Sequence, residues 1–123
     1  MIVCVACSDP GGLDAVIDAS FELTAILDYY DVHTDGYIEH LAQMRNYGGG
    51  GCTDPVEAMK RRGVEKVIVT GLSPGNLLRF RNYGIRVLRT ENPSVRQSLD
   101  ALVKGELKET AIDQFSTVSK QKS

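Results

Sequence analysis

The chain has no tryptophan, two histidines and three cysteines, Cys4, Cys7 and Cys52. An odd cysteine count this small excludes a disulfide framework and suits reduced thiols in a cytoplasmic protein. His33 and His40 stand at no spacing that makes a zinc site with the cysteines. No apolar run approaches the roughly 20 residues of a membrane span. No basic region precedes the apolar start, so a signal peptide is not expected; the opening MIVCVA reads as a buried strand. There is no Ser/His/Asp arrangement, and the TGLSPG segment lacks the lysine of a phosphate-binding P-loop.

Basic residues are scarce in the first half. Residues 1–50 hold eight acidic groups and one basic group, Arg45; residues 51–123 hold eight acidic and thirteen basic ones. The basic half includes Arg79, Arg81, Arg86, Arg89 and Arg96. These are either solvated helix and strand faces or a positive rim around an anionic ligand. Nucleic acid ranks below both, because the sequence pI is acidic and no aromatic-rich RNA-binding signature is present.

What is present is an ordinary globular composition, 42% hydrophobic over 123 residues, enough for one core. Residues 2–6 form a wholly apolar run, as in a central strand covered on both faces. The stretch LDAVID is either a short helix or a tight connection. Residues 23–32 and 37–44 read as two strands of an antiparallel hairpin around the Asp-Gly turn of HTDG. Then the pattern changes. Asp54, Pro55 and Glu57 have the spacing of a helix N-terminus, with a stop near Gly63. KVIVT is the next strand, Ser73-Pro74 opens a second helix that Gly84 closes, and IRVL is another strand. Ser94 and Gln97 start a third helix, whose Val95, Leu99, Leu102 and Val103 make one apolar stripe ending at Gly105. Strand–helix alternation implies parallel strands with right-handed crossovers. The expectation is one α/β domain over residues 1–109, three-layered α/β/α with a mixed sheet of about five strands, and a polar, mobile tail over 110–123.

Ligands of such sheets bind beyond the carboxyl ends of the parallel strands. CSDPGG, TGLSPGN and RTENPS should meet there. So should the run Gly48, Gly49, Gly50, Gly51, which precedes a helix N-terminus and its unpaired N–H groups. These glycines are an anion cradle or a plain surface loop. Cys52 sits two residues before the cap, a place that favours the metal-binding thiolate; the alternative is a small buried residue. Cys4 and Cys7 spell C-x-x-C, but three residues apart on a strand point to opposite faces. Cys4 is then core, while Cys7 falls at the strand's end and could share a cleft with Cys52.

The order of VCVACSD, GLDAVIDASF, a hairpin, a glycine-rich loop, VEKVIVTGLSPGNLLRFRNYGIRVLR and SVRQSLDALVKGEL resembles the dinitrogenase iron–molybdenum cofactor-binding family, across residues 2–109. The most specific parts are Gly71 to Asn76, Tyr83-Gly84-Ile85, and Lys104 to Leu107. The resemblance implies a ribonuclease-H-like architecture and the binding or carriage of a metal–sulfur cluster, iron–molybdenum or related, without catalysis by the protein. On the loops that gather at that edge, Ser8, Gly48 to Gly51, Ser73 and Asn76 are the expected cofactor contacts and Cys52 and Cys7 the expected metal ligands; a cluster-assembly or acceptor protein is the expected partner, and no membrane is expected. Two departures stand out. The family's Arg-Phe-Gly-Arg-like segment is Ser20-Phe21-Glu22-Leu23 here, without the arginines, and many small members lack a cysteine after the glycines. The alternative from another class is a regulatory or scaffold module that binds a protein and no metal. A third is a hydrolase or nuclease using Asp9, Asp14 and Asp54 around Mg²⁺.

Overall fold

The computed structural model describes residues 1–45 and 54–109. The glycine run with Cys52, and the tail after residue 109, lie outside the described residues.

The sheet is built around β1, Ile2–Cys7. Its small and β-branched side chains suit a strand covered on both sides. It pairs antiparallel with β2, Ile26–Val32, and parallel with β4, Lys66–Val69. β2 pairs antiparallel with β3, Ile38–Arg45, with a register shift at Tyr29/Tyr30. β4 runs parallel to β5, Arg86–Arg89, and β5 pairs with β6, Lys108–Glu109, antiparallel. The strand order is β3-β2-β1-β4-β5-β6.

Among the described residues three α-helices cover the sheet, and each starts where its cap residue dictates. Asp54 accepts from Val56 N at the head of α1, Pro55–Arg61. Ser73 Oγ accepts from Asn76 N at α2, Pro74–Asn82, and Ser94 Oγ from Gln97 N at α3, Val95–Val103. Such caps are worth about 1 kcal/mol each. α1 and α2 bury Val56, Met59, Leu77 and Phe80 with Cys4, Ala6, Tyr29, Val67 and Val69. α3 buries Val95, Leu99 and Leu102 on the other face, with Val3, Val5, Cys7, Tyr30 and Ile68. The strand period of two thus sends Cys4 and Cys7 into different layers.

Two details differ from the sequence expectation, and one open alternative is decided. The sheet has a sixth strand, only two residues long, too short to leave a pattern. The LDAVID stretch, left open between a short helix and a tight connection, is the connection: Ile17 bridges Cys7, Val16 bridges Ser94, and Asp18 N donates to Ala6 O at 3.1 Å. The strand expected from residue 23 begins at Ile26, because Phe21–Leu23 curl into a 3-10 turn. Phe21 N donates to Gly71 O at 2.9 Å and its ring meets Phe80 edge-on at 5.3 Å, which holds the segment against α2 and out of the sheet.

Candidate functional site

β1, β4 and β5 end on one edge, at Cys7, Val69 and Arg89. The segment between β1 and β2 laces their loops together. Ser8 N donates to Val16 O at 2.8 Å, Val16 N to Ser8 Oγ at 3.4 Å, Ile17 N to Pro93 O at 2.6 Å, and Phe21 N to Gly71 O. Gly71 is required there, since a Cβ would lie 2.3 Å from the Ala19 carbonyl oxygen.

Ser73 and Asn76 face this edge and are already engaged by an anion of the chain itself. Glu22 Oε2 accepts from Asn76 Nδ2 at 2.6 Å and from Ser73 N at 3.2 Å. Partial burial would raise the Glu22 pKa, but the Asn76 amide and the Ser73 N–H outweigh it and hold the carboxyl below its ordinary value. The segment that departs from the family pattern therefore puts a carboxylate on the amides of the TGLSPGN loop.

The first loop closes over a second carboxylate, Asp28, which is fully buried on β2. Asp28 Oδ2 accepts from Gly12 N at 2.6 Å, Tyr30 OH at 3.3 Å and Cys7 Sγ at 3.6 Å. Oδ1 accepts from Gln43 Nε2 and meets His40 Nε2, both at 2.9 Å. The His40 ring stacks on Tyr30, centroids 4.9 Å apart. Burial alone would raise the Asp28 pKa; the Gly12 N–H, Gln43 and His40 lower it below the aspartate norm. Cys7 feels the opposite. Its burial first, then the neighbouring Asp28 charge, push its pKa far up, which favours the thiol form. Cys7 is fully buried against the α3 layer; the cleft that the sequence let it share with Cys52 involves residues outside the described ones.

The arginines form no single rim. Arg79 pairs with Asp54, Arg96 with Asp14 at 3.0 Å, and Arg45 with Asp9 at 3.0 Å. Arg86 lies at the opposite edge, 3.4 Å from Glu109. Arg89 and Arg81 pair with no carboxylate among the described residues, and Arg89 Nε donates to Thr70 O at 3.2 Å. Beside it Thr70 Oγ1 is buried with no partner among the described residues. Asp9, Asp14 and Asp54 are each tied to a different arginine. Among the described residues they share no common ion position; the one group close enough to share an ion is Asp31, His33 and Glu39.

Of the residues expected from sequence, Ser8, Ser73 and Asn76 thus come to one edge, and Gly48, Gly49, Gly50, Gly51 and Cys52 lie outside the described residues. Sequence reasoning did not single out Glu22, Asp28, Gln43 or Thr70 as site residues. Asp28 had a signal, a carboxylate inside the apolar run AILDYYDV.

A mixed sheet between two helical layers, with its loops gathered at one strand edge, defines an α/β fold that known structures share. The chain is similar over 89% of its length to PH0822, of which it covers 96%, at TM-score 0.74 and 19% identity. It is similar to the apo form of the orange protein of Desulfovibrio gigas, TM-score 0.70 and 18% identity, covering 89% of this chain and 92% of that one. A Methanocaldococcus jannaschii protein matches at TM-score 0.69 and 16% identity, over 90% and 95% of the two chains. Among curated proteins none matches the sequence. The family described as dinitrogenase iron-molybdenum cofactor matches residues 1–105, and the chain belongs to it.

Proposed function

We propose that the protein binds or carries an anionic metal–sulfur cluster, of the iron–molybdenum type or a related one, as cargo at the carboxyl edge of its parallel strands, without catalysing a reaction on it. The observation that carries this reading is the Glu22 carboxylate on Ser73 N and Asn76 Nδ2. Those amides hold a negatively charged oxygen in the folded chain, so they have the geometry and polarity that an anion needs. Cluster sulfides accept hydrogen bonds as carboxylate oxygens do, at longer range. Arg89, free of carboxylates among the described residues, and the orphaned Thr70 hydroxyl add donors beside them. Family membership supports the class of cargo.

In this reading the cluster displaces Glu22. The 3-10 turn that carries Glu22 is exposed at that residue, so the side chain can swing into water without breaking the core. Gly48 to Gly51 would line the rest of the cleft, and Cys52 would supply the soft ligand that iron, copper(I) and zinc centres favour. The ribonuclease-H-like likeness enters only as an architecture; its chemistry would need carboxylates gathered on Mg²⁺. The cytoplasm is the compartment that suits unpaired thiols and an oxygen-sensitive cargo.

The test is anaerobic expression and purification, followed by iron, molybdenum and acid-labile sulfide analysis. Bound metal with sulfide near stoichiometry supports the reading. A protein that stays free of both, and takes up neither iron–sulfur clusters nor tetrathiomolybdate added anaerobically, overturns it.

A further inference from the structure

The opposite edge of the sheet carries a group of donors that the cluster reading does not use. Asp31 and Glu39 are directly paired across β2 and β3. Like charges directly opposite on antiparallel strands repel. One ligand atom each from Asp31, His33 and Glu39 lies within 4.8 Å of the other two. His33 Nε2 stands 3.6 Å from Asp31 Oδ2. The other Asp31 oxygen, Oδ1, accepts from the Met1 α-amine at 3.0 Å, which fixes the carboxylate and leaves Oδ2 turned to the imidazole. A cavity of about 600 Å³ opens beside them, with Met1, His33, Asp35 and Val103 in its wall.

We propose that Asp31, His33 and Glu39 form a binding site for a divalent transition ion of the zinc class, separate from the cluster edge. The donor chemistry selects the ion. An imidazole nitrogen with two carboxylates suits zinc, cobalt(II) or nickel(II), whereas magnesium and calcium take oxygen ligands. The spacing is within reach. Donors around a tetrahedral zinc at about 2.0–2.2 Å are about 3.4 Å apart, so rotations of exposed side chains close the gap. Three protein ligands leave a fourth position, which faces water or the adjoining cavity. The cation also removes the Asp31–Glu39 repulsion, so its binding tightens the free end of the hairpin. The turn is already ordered for this: His33 N donates to Tyr37 O at 2.9 Å and Gly36 N to His33 O at 3.0 Å.

The experiment uses the full chain, with Zn²⁺ and Co²⁺ as probes. Histidine ring signals are followed by NMR during a Zn²⁺ titration, and affinity is measured by calorimetry for the wild type and for His33→Ala, Glu39→Gln and Cys52→Ser. The expected result is that the His33 ring signals shift while those of His40 stay in place. His33→Ala and Glu39→Gln should each weaken Zn²⁺ binding about ten-fold or more, and Cys52→Ser should leave this site intact. Co²⁺ should broaden signals of Asp31, His33 and Glu39 selectively. His33 is exposed, so a native thermal midpoint for His33→Ala separates lost binding from lost fold. The proposal is overturned if the His33 ring does not respond at saturating Zn²⁺, or if folded His33→Ala binds Zn²⁺ as the wild type does.

Discussion

Glu22 Oε2 lies 2.6 Å from Asn76 Nδ2, joining the 3-10 turn before β2 to the first turn of α2 across 54 residues of sequence. In the proposed function the carboxylate sits where an anionic ligand of the TGLSPGN loop would sit, and it would compete with that ligand. Glu22→Gln should therefore strengthen anion binding. Charge effects at a helix N-terminus of about 0.3–1 kcal/mol correspond to about two- to five-fold in affinity. Tetrathiomolybdate titrations of the wild type and Glu22→Gln check this; equal or weaker binding by the mutant would remove the competition argument.

Gly71 ties the same two segments together through backbone. A Cβ at Gly71 would press on the Ala19 carbonyl oxygen, which has no side-chain freedom to move aside. Gly71→Ala should push residues 19–22 outward and break both Phe21 N–Gly71 O and the Glu22 contacts. A loss of about 1–3 kcal/mol is expected, read from the urea midpoint. The Ser73 amide proton should exchange faster in the mutant. An unchanged midpoint and unchanged exchange would show that the loops are not coupled.

Asp28 gives stability a defined acid limit. Its folded-state pKa lies below the ordinary aspartate value, so the native state binds its proton less readily than the unfolded chain does. Its contribution is complete above about pH 4 and is lost as pH falls through the lowered folded-state pKa. Asp28→Asn should cost about 2–3 kcal/mol at neutral pH, because an amide cannot accept from all five donors. It should also flatten the acid limb of the stability curve. Denaturation midpoints measured from pH 7 to pH 2 test both statements.

The two described thiols should be inert. Burial raises the Cys4 pKa, helped by Cys7 and Asp28, and burial with the Asp28 charge raises that of Cys7. Iodoacetamide at neutral pH should leave both unmodified in the native protein and alkylate both after unfolding. Cys52, placed two residues before the α1 cap, should be modified first. Mass spectrometry of the digested protein distinguishes the three; early labelling of Cys7 would contradict its place in the α3 layer.

Much of the fold was legible in the sequence, and the reason is local. The caps Asp54, Ser73 and Ser94 are short-range signals, each satisfied by an N–H two or three residues on. The apolar runs of β1 and of Val67–Val69 in β4 marked strands covered on both faces. What was not legible depends on distant partners. LDAVID has no periodicity that foretells a bridge from Val16 to Ser94. Nothing near Phe21 in sequence says that its ring will meet Phe80 and pull the chain into a turn. The candidate site divides the same way. Ser73 and Asn76 were found because they open a helix after a strand, whereas Glu22 reaches them from 51 and 54 residues away. Cys7 was read by its place at the strand end, and only the tertiary structure shows the Asp28 carboxylate beside it.

The most direct test of the account is to map the bound cluster onto the chain. Backbone amide shifts of the nitrogen-15-labelled protein are compared before and after anaerobic loading with a diamagnetic molybdenum–sulfur anion such as tetrathiomolybdate. The account predicts that the largest changes fall on Ser8, Glu22, Gly71, Ser73 and Asn76, with Asp31, His33 and Glu39 unmoved. Changes confined to the Asp31 edge, or none at saturating anion, would contradict it.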